Sequence, residues 1–170
     1  MEALRQLERR LQGRPPEPSA GSMDSQSIKT ATQHEDIGYD GNRTIKGRKR
    51  SILVDTLGLI IGGVVTDAGT DDRWGLVDLL TEYFADSPMA SSGCANSGSM
   101  GAYPAEWLEA WVHGLKQTHK IDLESTTHQE GKGLQVIPWR WAVERTFSWL
   151  LNERRHSRDD ERLTVKTARR

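Results

Sequence analysis

The one long apolar stretch of the chain, residues 52–65, is the feature that most constrains its fold. It is interrupted by Asp55 and by several glycines, and it falls short of the roughly 20 apolar residues that a membrane span needs. Its β-branched runs, 50–55 and 59–66, flank the turn sequence Thr56-Leu57-Gly58, a pattern typical of a β-hairpin. The stretch therefore predicts two adjacent strands and no transmembrane helix.

Apolar residues at helical spacing predict helices on both sides of this hairpin. Leu4, Leu7 and Leu11 form one stripe of a short amphipathic helix, with charged residues on its other face and prolines after it. A second helix is expected over 73–84, from the apolar positions Leu76, Leu79, Leu80 and Phe84. A third is expected over 105–119, from Trp107, Leu108, Trp111, Val112 and Leu115. A last helix is expected from about 141 to 155, from Val143, Phe147, Leu150 and Leu151.

Two further strands and a loop complete the expected secondary structure. A candidate strand over 22–28 carries one acidic residue, Asp24, and another short strand is expected over 121–125. The polar segment 33–41 is expected to be loop. The resulting order of helices and strands predicts an α/β fold with a mixed sheet.

Charge and cysteine content bear on the compartment and the partners. The chain has 23 Lys and Arg against 24 Asp and Glu, so that its formal net charge of −1 does not by itself indicate a nucleic-acid partner. The charged N-terminal residues exclude a signal peptide, and the one cysteine, Cys94, excludes an internal disulfide. We therefore expect an intracellular protein.

Two common kinds of site are not supported by the sequence. Glycines at 58–63 follow an apolar strand, but no Gly-Lys-Ser or Gly-Lys-Thr follows them, which argues against a phosphate-binding loop. The five histidines show no zinc-ligand spacing with one another or with Cys94.

Two carboxylates are stronger candidates. Asp24 lies within a predicted strand, where burial of an unpaired carboxylate is costly unless it binds a metal or a hydrogen-bond donor. Glu144 flanks the apolar face of the last predicted helix. The alternatives are a strand-end position for Asp24 and a surface pairing of Glu144 with Arg145 or Ser148, and the residues alone leave these open.

Four sequence blocks resemble the DDE transposases of bacterial insertion sequences, specifically the insertion sequence 5 group. The blocks are 24–30, 38–50, 53–58 and 136–150, and they stand in the family's order. The resemblance implies a ribonuclease-H-like mixed sheet flanked by helices, on which two Asp and one Glu bind two divalent metal ions, Mg²⁺ or Mn²⁺, for DNA cleavage and strand transfer. Asp24 matches the first catalytic and metal-binding acid, and Glu144 matches the last.

The middle acid of this pattern is missing. The resemblance places it at the end of the fourth strand, before Tyr103, but residues 87–102 are Gly- and Ser-rich and uncharged in a chain that is 28% charged. A flexible linker is the simplest interpretation of such a segment. A shift of one nucleotide in the reading frame permits an Asp followed by two glycines there, and we hypothesise two compensating frameshifts. The fourth strand is then expected to be lost, and this copy to be truncated and inactive.

The resemblance also implies DNA as the partner, both insertion-sequence ends and target DNA, in the bacterial cytoplasm. Basic side chains that contact phosphate fix DNA in position without reading its sequence. Solvated charge on a strand edge is the alternative for the basic cluster, and a homo-oligomer is left open. The candidate DNA-binding residues are Lys46, Arg48, Lys49, Arg50 and Arg145.

The expected organisation has three parts. Residues 1–20 form a helix and a Pro-rich linker, 21–160 a partial catalytic domain in which 87–102 replace a strand, and 161–170 a charged tail. A degenerate transposase is the first interpretation. A non-catalytic DNA-binding remnant and a metal-dependent nuclease of the same fold are the alternatives.

Overall fold

The computed structural model describes residues 2–30, 36–86, 94–97, 113–114, 117, 122–125 and 138–159. Its helices are α1 (Glu2–Leu11), α2 (Asp72–Asp86), α3 (Pro138–Asn152) and α4 (Arg154–Ser157). Its strands are β1 (Ala20–Lys29), β2 (Gly38–Asp40), β3 (Ile45–Asp55), β4 (Ile60–Asp67), β5 (Cys94–Ser97) and β6 (Asp122–Ser125). Within these residues no helix is long and apolar enough to cross a membrane.

The strands form one mixed sheet in the order β2-β3-β1-β5-β6, and β4 also pairs with β3. β1 and β3 are antiparallel, with Gly21 opposite Asp55 at one end and Lys29 opposite Gly47 at the other. β5 is parallel to both β1 and β6. The chain therefore has the expected α/β fold, a mixed sheet flanked by helices, and the predicted hairpin is confirmed as β3 and β4.

Alternate residues of the central strands supply two separate cores. Because neighbouring side chains of a strand point to opposite faces, Ile52 and Leu53 pack against different helices. One core joins Met23 and Leu53 to Leu76, Leu79 and Leu80 of α2. The other joins Ile52 and Val54 to Ala142, Val143 and Phe147 of α3. The sheet is thus covered by α2 on one face and by α3 on the other.

The polar segment 33–41 was expected to be loop, and this is wrong for part of it. Gly38–Asp40 form β2, which pairs with the first residues of β3, while 31–35 lie outside the described residues. β3 also begins at Ile45, before the apolar run. Backbone hydrogen bonds to a neighbouring strand stabilise a polar strand as well as an apolar one, so side-chain pattern alone did not reveal these pairings.

The expected loss of the fourth strand is also wrong. Cys94–Ser97 form β5, which pairs with β1 from Ala20 opposite Cys94 to Met23 opposite Ser97. Small polar residues have a poor strand propensity, but this strand lies between β1 and β6, and backbone pairing on both sides outweighs that preference. The strand expected over 121–125 is confirmed as β6.

The later helices follow the predicted spacing closely. The helix expected over 73–84 is α2, and the one expected from about 141 is α3, which begins earlier, at Pro138. The helix expected over 105–119 lies mostly outside the described residues. Within this range the structure describes 113–114 and 117, and these residues are helical.

Helix α1 confirms the predicted amphipathic helix, and its leucine stripe faces away from the sheet. Leu4, Leu7 and Leu11 are exposed, whereas Arg9 is buried. The Arg9 guanidinium donates to the Pro15 carbonyl oxygen at 2.7 Å and pairs with the carboxylate of Asp55. The helix is therefore attached to the sheet by a polar side chain, with its apolar stripe facing outward.

Candidate active site

Asp24 lies in the middle of β1, on the sheet face that α3 covers. It is opposite Ile52, whose side chain belongs to the α3 core. Burial raises the pKa of Asp24 above the usual value of 3.8, because the charged form loses solvation. The backbone N–H of Ser25, which donates to Asp24 Oδ1 at 2.8 Å, and the charges of Arg43 and Arg140 lower that pKa by less. A cation bound near Asp24 would therefore stabilise the charged form of this carboxylate, which burial disfavours.

Glu144 lies on the exposed side of α3, beside the buried face formed by Ala142, Val143 and Phe147. Its Oε1 accepts a hydrogen bond from Arg140 Nε at 2.7 Å, one helical turn earlier. The surface pairing weighed for Glu144 therefore exists, with Arg140 as its partner. Such a half-exposed pair is a weak interaction that other cations can replace.

Arg140 connects the two acids electrostatically. It forms an ion pair with Glu144, and its charge also lowers the pKa of Asp24. Helix α3 packs directly on β1 and β3, which brings this end of α3 to the face that carries Asp24. Glu144 thus belongs to the helix that covers the sheet face of Asp24, and the charge of Arg140 acts on both acids.

The chemistry of these residues fits part of a divalent-metal site. Carboxylate oxygens are preferred ligands of Mg²⁺ and Mn²⁺, and a cation would offset the desolvation of the Asp24 charge. Over the described ranges, no group of three or more His, Cys, Asp or Glu side chains could hold a metal ion. Asp24 and Glu144 are the two acids that the resemblance to DDE transposases implies as metal ligands.

The basic cluster before the apolar run is mostly buried. Arg48, Lys49 and Arg50 are 2%, 6% and 8% exposed, while Lys46 is exposed. The expectation that the first three contact phosphate is corrected by this burial, and the alternative of solvated charge is wrong as well. Their partners are Asp159 for Arg48 at 2.9 Å, Asp72 for Lys49 at 2.8 Å, and Gln26 and the His156 carbonyl for Arg50.

Arg145, the other expected DNA contact, is half-buried and has partners within the chain. Its Nη2 donates to the Leu57 carbonyl oxygen at 2.8 Å, and its guanidinium lies 4.8 Å from the ring centroid of Trp149. These contacts attach α3 to the β3–β4 turn. In this conformation the Arg145 guanidinium therefore holds α3 on the β3–β4 turn.

Sequence reasoning missed two residues of this region. Arg140 was detectable, because it stands four residues before Glu144, the spacing of ion pairs along a helix. Asp55 was visible as an acid within an apolar stretch, but its partner Arg9 is 46 positions away. No local pattern predicts such a contact.

Comparison with models of protein families gives a match over most of the chain. The model of the family described as "Transposase DDE domain" matches residues 15–168, a range that includes Asp24, Glu144 and all of β1–β6. Comparisons with curated proteins and with solved structures gave no match.

Proposed function

Because the chain belongs to the transposase DDE-domain family, we propose that it is the catalytic domain of a bacterial insertion-sequence transposase of the insertion sequence 5 group. Asp24 and Glu144 are proposed as catalytic, metal-binding acids for Mg²⁺ or Mn²⁺, with DNA as the substrate. The observation that supports this best is the position of α3: the helix that carries Glu144 covers the sheet face on which Asp24 lies, and its Arg140 pairs with Glu144 and lowers the pKa of Asp24.

The residues of the chain have distinct tasks in this proposal. A pair of divalent metal ions, when bound, supplies activation of water or a 3′-hydroxyl and stabilisation of the leaving oxygen. Asp24 is held in place by a central strand that is paired on both sides. Glu144 is held on α3, and Arg140 balances the charge of both acids. Lys46, exposed at the start of β3, is available to contact the phosphate backbone.

We further infer that this copy does not perform strand transfer. The missing acid belongs at the end of the strand beside β1, and that strand, β5, reads Cys-Ala-Asn-Ser. Two carboxylates instead of three give the metal fewer ligands and a less defined geometry. Cleavage and joining that require both metals are therefore expected to fail.

A restored acid tests this proposal. The purified chain is incubated with plasmid DNA and Mg²⁺ or Mn²⁺, and cleaved and joined products are counted. We expect none from the unchanged chain and metal-dependent cleavage from the variant Met100→Asp, lost again when Asp24→Asn is added. Strand transfer by the unchanged chain would contradict the proposed inactivity. Cleavage by Met100→Asp that persists with Asp24→Asn would contradict the proposed site.

The gene sequence tests the origin of the missing acid separately. If two frameshifts replaced the strand, the shifted frame across residues 87–102 encodes an Asp and two glycines before Tyr103. Any other sequence in that frame ends the frameshift hypothesis, without affecting the assignment of Asp24 and Glu144.

A non-catalytic DNA-binding remnant is the second candidate, favoured by the acid-free sequence of β5. It predicts DNA retention that falls with rising salt and does not depend on a divalent metal. Met100→Asp would then leave the chain without cleavage activity. A nuclease of the same fold would instead cut DNA in that variant without joining ends.

A further inference from the structure

Asp55, the last residue of β3, is completely buried, and both of its carboxylate oxygens accept hydrogen bonds. Its Oδ1 accepts from the backbone N–H groups of Leu57 and Leu59, each at 2.9 Å. Its Oδ2 accepts from the guanidinium of Arg9 in α1, which is itself 3% exposed. One side chain thus bonds both to the backbone of the β3–β4 turn and to α1.

The same turn is bonded to α3 immediately after Glu144. The Leu57 carbonyl oxygen accepts from Arg145 Nη2 and the Gly58 carbonyl oxygen accepts from Thr146 Oγ1, both at 2.8 Å. A Cβ added to Gly58 would lie 3.0 Å from Thr146 Oγ1, so the turn and the helix are in close contact. The two residues that follow Glu144 are therefore both anchored to the turn that Asp55 shapes.

Directional bonds at this point have a specific effect on α3. The helix also packs on the sheet through the apolar side chains of Ala142, Val143 and Phe147. Apolar burial is non-directional and tolerates small shifts of a helix along or around its axis. Hydrogen bonds to two consecutive carbonyl groups of the turn restrict such shifts, and with them the position of the Glu144 carboxylate.

We propose that Asp55 and Arg9 are positioning residues for Glu144, and that α1 thereby supports the acid site. The ion pair neutralises the buried Asp55 carboxylate, which keeps the turn in the shape that receives Arg145 and Thr146. Removing either partner leaves an uncompensated buried charge, which is strongly destabilising. The turn is then expected to open locally, because opening exposes this charge to solvent. The inference rests on the proposed metal-binding role of Glu144.

The test uses neutral, near-isosteric variants of the whole chain. Arg9→Gln and Asp55→Asn each break the ion pair, and the double variant removes both charges at once. Arg10→Gln and Asp78→Asn are matched controls, because both residues are exposed. Mn²⁺ affinity is measured by electron paramagnetic resonance, and amide hydrogen exchange is measured over residues 142–147.

Each single variant is expected to weaken Mn²⁺ binding by about 10- to 100-fold, the usual effect of losing a residue that orients a metal ligand. Exchange over 142–147 is expected to accelerate. The double variant is expected to recover most of both properties, because its neutral amides can bond to each other and to the turn. The controls are expected to match the unchanged chain.

A merely structural ion pair would behave differently. It would lower the urea midpoint of the single variants and leave Mn²⁺ affinity and exchange over 142–147 unchanged, which would overturn the inference. If the unchanged chain binds no Mn²⁺, the proposed function fails, and the exchange data still decide whether Asp55 and Arg9 hold α3. If the single variants do not fold, Thr146→Val tests the same connection from the helix: faster exchange and weaker Mn²⁺ binding are expected, and unchanged values would refute it.

Discussion

Asp24 of β1 lies directly opposite Ile52 of β3, and Ile52 belongs to the same core as Val143 of α3. Side chains of directly opposite residues in an antiparallel pair project to the same face of the sheet. The carboxylate of Asp24 therefore shares its face with the helix that carries Glu144. This pairing relates the two acids of the candidate site, which the sequence alone could name but not place in space.

The first prediction concerns the charge of Asp24. Its pKa is raised in the folded state by burial, so the folded state favours the protonated form. The stability that protonation provides is complete below the unfolded-state pKa, near 3.8, and is lost as pH rises through the higher folded-state pKa. Asp24→Asn, which mimics the neutral form, should therefore unfold at a higher temperature than the unchanged chain at pH 7. The difference should shrink toward pH 3.8, and a difference independent of pH would contradict this.

The second prediction separates buried from exposed members of the basic cluster. Arg48 is buried against Asp159, and breaking a buried ion pair costs about 3–5 kcal/mol. Arg48→Gln should lower the free energy of unfolding, measured in urea, by that amount. Lys46→Gln, the exposed control, should change it by less than about 0.5 kcal/mol. Equal effects would show that burial does not distinguish the two positions.

The third prediction tests the contact between the turn and α3. Gly58 has φ +81°, a left-handed conformation that costs an L-residue about 1–2 kcal/mol. Gly58→Ala should therefore reduce the free energy of unfolding by at least that much, since its Cβ would also approach Thr146. Gly63→Ala is the control, because a Cβ there meets neighbours at an ordinary 3.5 Å. If Gly58→Ala left the free energy of unfolding unchanged, the turn would have to accommodate a Cβ at position 58 without strain, which would contradict this prediction.

The fourth prediction tests the outward orientation of the α1 leucines. Leu7 is 54% exposed, whereas Leu79 of α2 is 2% exposed. Leu79→Ala should cost about 2–5 kcal/mol of unfolding free energy, the usual range for a core leucine. Leu7→Ala should cost less than about 0.5 kcal/mol. A loss of several kcal/mol from Leu7→Ala would place that side chain in a core instead.

The parts of the fold that follow from local pattern were predictable. The apolar run around Thr56-Leu57-Gly58 does form the β3–β4 hairpin, and the spacing of Leu76, Leu79 and Leu80 does form a helix whose leucines face the sheet. Periodicity encodes these features because one side of each element is apolar.

The remainder depends on contacts between distant residues. Arg48 looks like a surface residue in the sequence, and its burial is decided by Asp159. Arg9 is the buried residue of α1 because Asp55 requires a cation, although the leucine pattern indicated the opposite face. For the site, Asp24 and Glu144 could be named from the sequence, whereas Arg140 between them could not be assigned a role before α3 was placed on β1.

The central claim is that Asp24 and Glu144 together form one site that binds divalent metal. It is tested most directly by titrating Mn²⁺ into the unchanged chain, Asp24→Asn, Glu144→Gln and the exposed control Asp78→Asn, with bound metal measured by electron paramagnetic resonance. Saturable binding is expected, and it should be weakened at least about 10-fold by each of the first two substitutions and unaffected by the third. Binding that survives both Asp24→Asn and Glu144→Gln unchanged would contradict it.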